Sequence, residues 1–396
     1  MAMNISLAAH GPPVERPRRG GPPILHQVVL KVVSPCNLNC SYCYVYHGAD
    51  HGFSTRPPVI SDEILGALFA RLREYCHRRP EHRVGIALHG GEPLLLGHER
   101  FASVVSKAQE ILGDRLRGIA VQTNGTLIDR TWAQLFKEMQ VAVSISLDGP
   151  SEVHDATRVD HSGRGSHARV IAGIQHVQDA GIEPNVLCVI NPRYSGRAVY
   201  RFLRDIGVQS IDFLLPDVTH DTWAIQYGHL GTTPVGDYLL EALDAWLDED
   251  NPDVSIRLLD GLLRVLMGGN GHTDAFGNLA CSYVIVETDG SIQANDALRV
   301  CDDGICATGL NVLEHGFDDL LTMDGLASQA LAGAIPLPRR CRLCPERSVC
   351  GGGYLPHRYA RANGFDNPSV WCRDILKLLQ VMRQRVQDDL LAADDE

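Results

Sequence analysis

The stretch VVSPCNLNCSYCYVY, residues 32–46, places Cys36, Cys40 and Cys43 in one short loop with gaps of three and two residues. A structural zinc site ordinarily takes four protein ligands at tetrahedral geometry, often as two CxxC-like pairs. Three thiolates at this spacing fit a cubane iron–sulfur cluster better, with one iron lacking a protein ligand and open to a substrate or cofactor. Spacing alone leaves an incomplete zinc knuckle open as an alternative. Tyr42 sits between the last two cysteines, where an aromatic ring could cover a cluster or a purine.

Outward from this loop, short apolar runs alternate with amphipathic segments between residues 26 and about 215. The strand candidates are HQVVLKVV, RVGIALHG, GIAVQTNG, VAVSISLDG, EPNVLCVIN and SIDFLLP. Helical patterns fall between them near residues 61–79, 98–112, 129–139, 166–180 and 195–206. Short, largely apolar strands separated by helices predict a parallel sheet covered by helices. Six strands are too few for a closed eight-stranded barrel, so an open, partial (β/α)6 barrel is expected. HGGEP, TNG and SLDGP fall at strand ends, the edge that carries ligand sites in parallel α/β folds.

Beyond residue 215 two helices are expected, in GDYLLEALDAWLDED and SIRLLDGLLRVLMGG. A hairpin, YVIVETDGSIQAN, should turn at Asp289–Gly290. Cysteine-rich loops and a terminal helix, RDILKLLQVMRQRVQDDLLA, follow. The resulting division is a disordered tail over 1–24, a barrel over 25–235, a helical bridge over 236–280 and a C-terminal unit over 281–396.

The chain has 396 residues, is 44% hydrophobic and carries a formal charge of −12. That balance argues against a nucleic-acid or anionic-membrane partner. No apolar run reaches membrane-spanning length, and the N-terminus lacks a secretory pattern. A cytoplasmic, reducing location is expected, in which twelve cysteines serve as ligands, reactive thiols or buried hydrophobes. Cys76 and Cys188 lie in apolar patterns and read as core.

CNLNCSYCY resembles the cluster motif of radical S-adenosylmethionine (SAM) enzymes. HGGEPLL, QTNG, SISLDGP and HDATRVDHSGRGSHARV follow in that family's order. The resemblance implies a 4Fe–4S cluster on Cys36, Cys40 and Cys43. It implies cofactor contacts from Tyr42, from Gly90, Gly91 and Glu92 at the methionine amino group, and from Asn124, Ser146 and Arg158 at ribose or carboxylate. The implied chemistry is reductive cleavage of S-adenosylmethionine to a 5′-deoxyadenosyl radical that abstracts a substrate hydrogen.

Cys341, Cys344, Cys350 and Cys372 resemble the auxiliary-cluster ligands of the SPASM extension of such enzymes, which implies a second 4Fe–4S cluster. A four-cysteine zinc site is the alternative. That extension usually holds a further cluster, with cysteines where this chain has Asn295 and Tyr354. Cys281, Cys301 and Cys306 remain as possible ligands of an altered third cluster. Asparagine is a poor iron ligand, so two clusters are expected rather than three.

The segments CYVY (43–46), FLLP (213–216), ETDGS (287–291), ATGLNV (307–312), CGGGYLPHRY (350–359) and NGFDNPSVWC (363–372) are similar to FxsB-type radical SAM/SPASM peptide maturases. That likeness implies a ribosomal precursor peptide as substrate, cyclophane crosslinking of an aromatic ring to a β-carbon, and an electron donor such as flavodoxin or ferredoxin. Asp296, Asp217 and Tyr354 are candidates by position for the proton acceptor. Thioether formation, epimerisation and formylglycine generation on sulfatases are alternatives. The last resembles this chain less, because it uses both auxiliary clusters. A cluster-bearing scaffold without chemistry is the reading from a different class.

Overall fold

The computed structural model describes residues 23–271, 273–277 and 279–394. The expected tail lies outside the described residues up to residue 22. The six expected strands form as β1 (Gln27–Val33), β2 (Val84–Gly90), β3 (Leu116–Thr123), β4 (Val141–Ser146), β5 (Asn185–Val189) and β6 (Ser210–Leu214). Each pairs in parallel with the next. All seven residues of β1 and of β2 are buried, as continuous apolar strands require when both faces are covered.

The intervening helices cover Asp62–His77, His98–Leu112, Arg130–Glu138, His167–Asp179 and Gly196–Asp205. Their starts are fixed by local chemistry. Ser61 accepts from the Ile64 amide, Asp129 from that of Trp132 and Ser195 from that of Ala198. Each satisfies an otherwise unpaired donor of a first helical turn.

The sheet extends past both ends of this core. A two-residue strand, β7 (Ser255–Ile256), pairs with β6 and leads into the helix Arg257–Leu266. The expected hairpin forms as β8 (Tyr283–Val286) and β9 (Ser291–Gln293), and β10 (Ala307–Asn311) pairs antiparallel with β9. Gly290, at φ +82°, makes the turn, and Asp289 accepts from the Ser291 amide. β8 also pairs in parallel with β1. The C-terminal segment therefore continues the barrel's sheet from the boundary expected at 281. The strand order is β10-β9-β8-β1-β2-β3-β4-β5-β6-β7, an open sheet with β7 and β10 at its edges.

The terminal helix, Cys372–Asp394, packs on the helix Pro234–Glu249. Asp374 ties the two together. Its Oδ1 accepts from the amides of Val235 and Gly236, each at 2.9 Å, at the start of that second helix. Among the described residues, no helix is long and apolar enough to cross a membrane.

Candidate active site

The cysteine loop leaves the carboxyl end of β1 and is laced to the segment after β4. The Asn39 amide donates to Val159 O at 2.7 Å and the Ser41 amide to Thr157 O at 3.0 Å. On its other side lies the Gly90–Gly91 turn. The Gly91 amide donates to Val33 O and the Glu92 amide to Pro35 O. A Cβ at Gly90 would stand 2.1 Å from Val33 O, and one at Gly91 would stand 2.1 Å from Pro35 O. Only glycine permits that approach.

These elements wall a cavity of about 730 Å³ at the carboxyl ends of the strands, within the range of cofactor and substrate sites. Cys36, Cys40, Cys43, Tyr42, Gly90, Gly91, Asn124, Ser146 and Arg158 all line it. Asn124 Nδ2 donates to Asn37 Oδ1 at 2.7 Å and lies 3.8 Å from Cys36 Sγ. Ser146 Oγ accepts from Gln122 at 3.0 Å. Burial pushes the Cys36 thiol up to about 12 and that of Cys40 to about 11. They stay protonated at neutral pH until a metal displaces the proton.

Glu92 is placed differently from a cavity-lining ligand. It is fully buried, and its carboxylate accepts from Thr123 Oγ1 at 2.7 Å, the Asn124 amide at 2.8 Å and the Leu94 amide at 3.0 Å. It thereby fixes the end of β3 against the glycine turn. Burial pushes it up to about 7, against the pull of those three donors.

Asp148, within the SLDGP motif, escaped sequence reasoning as a separate residue. It accepts from Tyr42 OH at 2.5 Å and pairs with Arg158 Nε at 2.9 Å, while the Arg158 guanidinium lies 5.3 Å from the Tyr42 ring centre. Tyr42 and Arg158 are thus held by one buried carboxylate. Burial keeps the Tyr42 phenol protonated.

The three proton-acceptor candidates separate. Asp217 lines the cavity, with Oδ1 3.7 Å from His357 Nε2. Asp296 stands behind the wall. It pairs with Lys31 Nζ at 2.7 Å and accepts from the hydroxyl of Tyr44, itself a cavity residue, at 2.9 Å. Burial raises the Asp296 carboxyl, but Lys31, with His89 and Arg299 nearby, outweighs it and holds the group well below the usual carboxylate range. Lys31 Nζ also lies 3.1 Å from His89 Nδ1. Lys31 is the one charge in QVVLKVV, a signal that could have marked it in advance. Tyr354 is away from the cavity wall, bonded to Asn295.

The C-terminal cysteines form two sets. Cys341 and Cys344 flank one turn, Cys350 ends the short helix Arg347–Cys350, and Cys372 opens the terminal helix. Burial, then the neighbouring Cys372, pushes the Cys341 thiol up. Cys281, Cys301 and Cys306 are buried, and their sulfurs donate to the carbonyls of Tyr283, Pro356 and Asn295. All twelve cysteines are outside disulfides. Among the described residues, no three Cys, His, Asp or Glu side chains converge on a single-ion site. The fit to a larger, multi-iron group rests on three thiols facing one cavity. Trp371, next to Cys372, connects the second set to that cavity. Its ring centre is 5.2 Å from that of Tyr227, a cavity residue.

An open α/β barrel with a three-cysteine loop at the carboxyl end of its first strand is the arrangement that the resemblance to radical SAM enzymes implied. Residues 31–205 match the Radical SAM superfamily, and the chain is similar over most of its length to enzymes named for sulfatase maturation. It is 28% identical over 339 residues to the cysteine-type anaerobic sulfatase-maturating enzyme of Clostridium perfringens, covering 84% of this chain and 89% of that one. It is 25% identical over 379 residues to the serine-type enzyme of Bacteroides thetaiotaomicron, covering 90% and 89%. The fold matches the solved structure of native anSMEcpe with bound AdoMet at a TM-score of 0.77 and 23% identity, covering 93% of this chain and all of that one. The same protein with bound AdoMet and Cp18Cys peptide gives 0.75.

These relatives correct the expectation of cyclophane crosslinking. Likeness along nearly the whole chain runs to sulfatase-maturating enzymes, the alternative set aside on cluster count. The segments similar to FxsB-type maturases are short by comparison; FLLP overlaps the end of β6, ATGLNV covers β10, and the others lie in turns and around Cys43, Cys350 and Cys372.

Proposed function

We propose that this chain oxidises a cysteine or serine side chain of a peptide segment to an aldehyde, as in formylglycine formation during sulfatase maturation. The observation that carries this reading is the near full-length likeness to both cysteine-type and serine-type maturating enzymes. When bound at the Cys36–Cys40–Cys43 cluster, S-adenosylmethionine supplies the hydrogen-abstracting species.

The chain's own residues do the rest. Gly90 and Gly91 offer backbone at the cavity wall, and Glu92 fixes their turn. Asn124 and Ser146 present polar groups, and Asp148 holds Tyr42 and Arg158 across the cysteine loop. Asp296, held ionised by Lys31, takes the thiol or hydroxyl proton by way of Tyr44. Cys341, Cys344, Cys350 and Cys372 would hold an auxiliary cluster, which would supply an acceptor for the remaining electron; Trp371, beside Cys372, packs on Tyr227 of the cavity wall.

The test is anaerobic incubation of the reconstituted, reduced enzyme with paired peptides carrying cysteine or serine in a sulfatase-type segment. The expected product reacts with a hydrazide probe: serine has lost two hydrogens, and cysteine, oxidised to a thioaldehyde, has exchanged its sulfur for oxygen by hydrolysis with release of hydrogen sulfide. A peptide that loses two hydrogens without becoming hydrazide-reactive would overturn the reading in favour of a crosslink.

A further inference from the structure

The surface around the second cysteine set is strongly basic in an otherwise acidic chain. Arg339, Arg340, Arg342, Arg347 and Arg373 are all exposed there, against a formal charge of −12 for the whole sequence. Among the described residues none of the five forms an ion pair. Glu346, the nearby carboxylate, is taken by Arg383 at 2.6 Å. Leu343 lies in the middle of this surface, between Arg342 and Cys344, and is 74% exposed. An exposed apolar side chain with unpaired cations on neighbouring positions matches the apolar centre and charged rim of a docking patch.

Two of the arginines have a local role. Arg340 favours the thiolates of Cys341 and Cys372, and Arg373 that of Cys372. Arg339, Arg342 and Arg347 form no ion pair among the described residues, and Arg347 reaches only the Arg342 carbonyl. Arg342 reaches only the Leu337 carbonyl. Their charge is free to act on a partner.

We propose that Arg339, Arg342, Leu343 and Arg347 form the docking surface for a small acidic one-electron carrier protein. The inference rests on the reading that Cys341, Cys344, Cys350 and Cys372 hold an iron–sulfur cluster in an enzyme that oxidises a side chain. That oxidation removes two electrons and two protons from the peptide. One of each leaves as a hydrogen atom, the second proton goes to Asp296, and the second electron reduces the docked carrier by one electron. The Tyr227–Trp371–Cys372 connection places cavity and patch at opposite ends of one route. A nucleic acid or membrane would need a broader basic face. An acidic substrate peptide is the competing occupant, but the cavity lined by the cysteine loop opens elsewhere.

The experiment measures binding of oxidised flavodoxin to the cluster-reconstituted enzyme at low and high salt. The variants are Leu343→Ser and the triple Arg339→Glu, Arg342→Glu and Arg347→Glu. Expected is a wild-type affinity that falls with salt, at least about tenfold weaker binding for the triple variant, and little remaining salt dependence in it. Iron content and dithionite-driven cofactor cleavage should match wild type, which shows that the variants fold and load. Equal flavodoxin affinity in wild type and triple variant would overturn the proposal. So would displacement of flavodoxin by the acidic substrate peptide, which would assign the patch to substrate. Failure to form aldehyde with docking intact would instead count against the proposed reaction alone.

Discussion

Asn295 and Tyr354 bond to each other, with Asn295 Nδ2 and Oδ1 at 2.7 and 3.0 Å from the Tyr354 hydroxyl. Both side chains are buried. They stand at the two positions where the resemblance to the SPASM extension would put cysteines of a further cluster, and they form a satisfied polar pair there. The nearby thiols of Cys281, Cys301 and Cys306 donate to three separate carbonyls. Anaerobically reconstituted protein should therefore hold about eight iron atoms per chain, two 4Fe–4S clusters. Iron near twelve would show that the three buried cysteines do bind a cluster.

Replacing Cys36, Cys40 and Cys43 together with alanine should abolish 5′-deoxyadenosine formation and leave the iron and sulfide of the other site in place. The two sets leave different ends of the fold, the loop after β1 and the start of the terminal helix. Elemental analysis beside a cleavage assay checks this. Loss of all iron would show that the two sites fold as one.

Asp296→Asn should keep cofactor cleavage within about tenfold while lowering aldehyde formation by about a hundredfold or more, the usual range for loss of a positioned base. The amide cannot take a proton from Tyr44, and Lys31 loses its anion. Measuring both products in one reaction separates the effects. Equal loss of both would mean that Asp296 serves the fold through Lys31 rather than the proton.

Trp371→Phe should uncouple the enzyme in the same sense. The substitution removes the indole donor to Pro216 O at 3.2 Å and lengthens the gap to Tyr227, while keeping most of the buried ring. Cofactor cleavage should persist with less aldehyde per 5′-deoxyadenosine. An unchanged ratio would remove the electron route assigned to Trp371.

Glu92 supplies a pH signature. Its folded value is raised from 4.5 to about 7, so its contribution to stability is fully present below about pH 4.5 and is lost as pH rises through about 7. Glu92→Gln does not titrate, but its amide faces the Asn124 or Leu94 donors, which costs about 1–3 kcal/mol. Melting curves from pH 5 to 8 should show the gap between variant and wild type narrowing as pH rises. A gap that widens would reverse the sign assigned to Glu92.

The six barrel strands were legible because each is a short, largely apolar run between helical patterns, and the cysteine spacings because they are local in sequence. The continuation of the sheet through β8 was not. YVIV signals a hairpin, but nothing in it says that its other edge pairs with β1. Glu92 reads as a ligand in GGEP, yet its three donors come from Leu94 and from Thr123 and Asn124 on another strand, which only the packed sheet brings together. Asp148 was hidden in the same way, since its partners Tyr42 and Arg158 lie in two separate loops. Asp296 was chosen by position, and Lys31, which holds it ionised, sits 265 residues earlier. The reaction was misjudged because cluster count was read as function, while the likeness that bears on it runs the length of the chain.

The most direct test uses a substrate peptide whose target cysteine or serine carries deuterium at both β-positions. Radical removal of hydrogen from that carbon predicts deuterium in the 5′-deoxyadenosine released, with one aldehyde formed for each labelled molecule. Aldehyde formed alongside unlabelled 5′-deoxyadenosine would contradict the account.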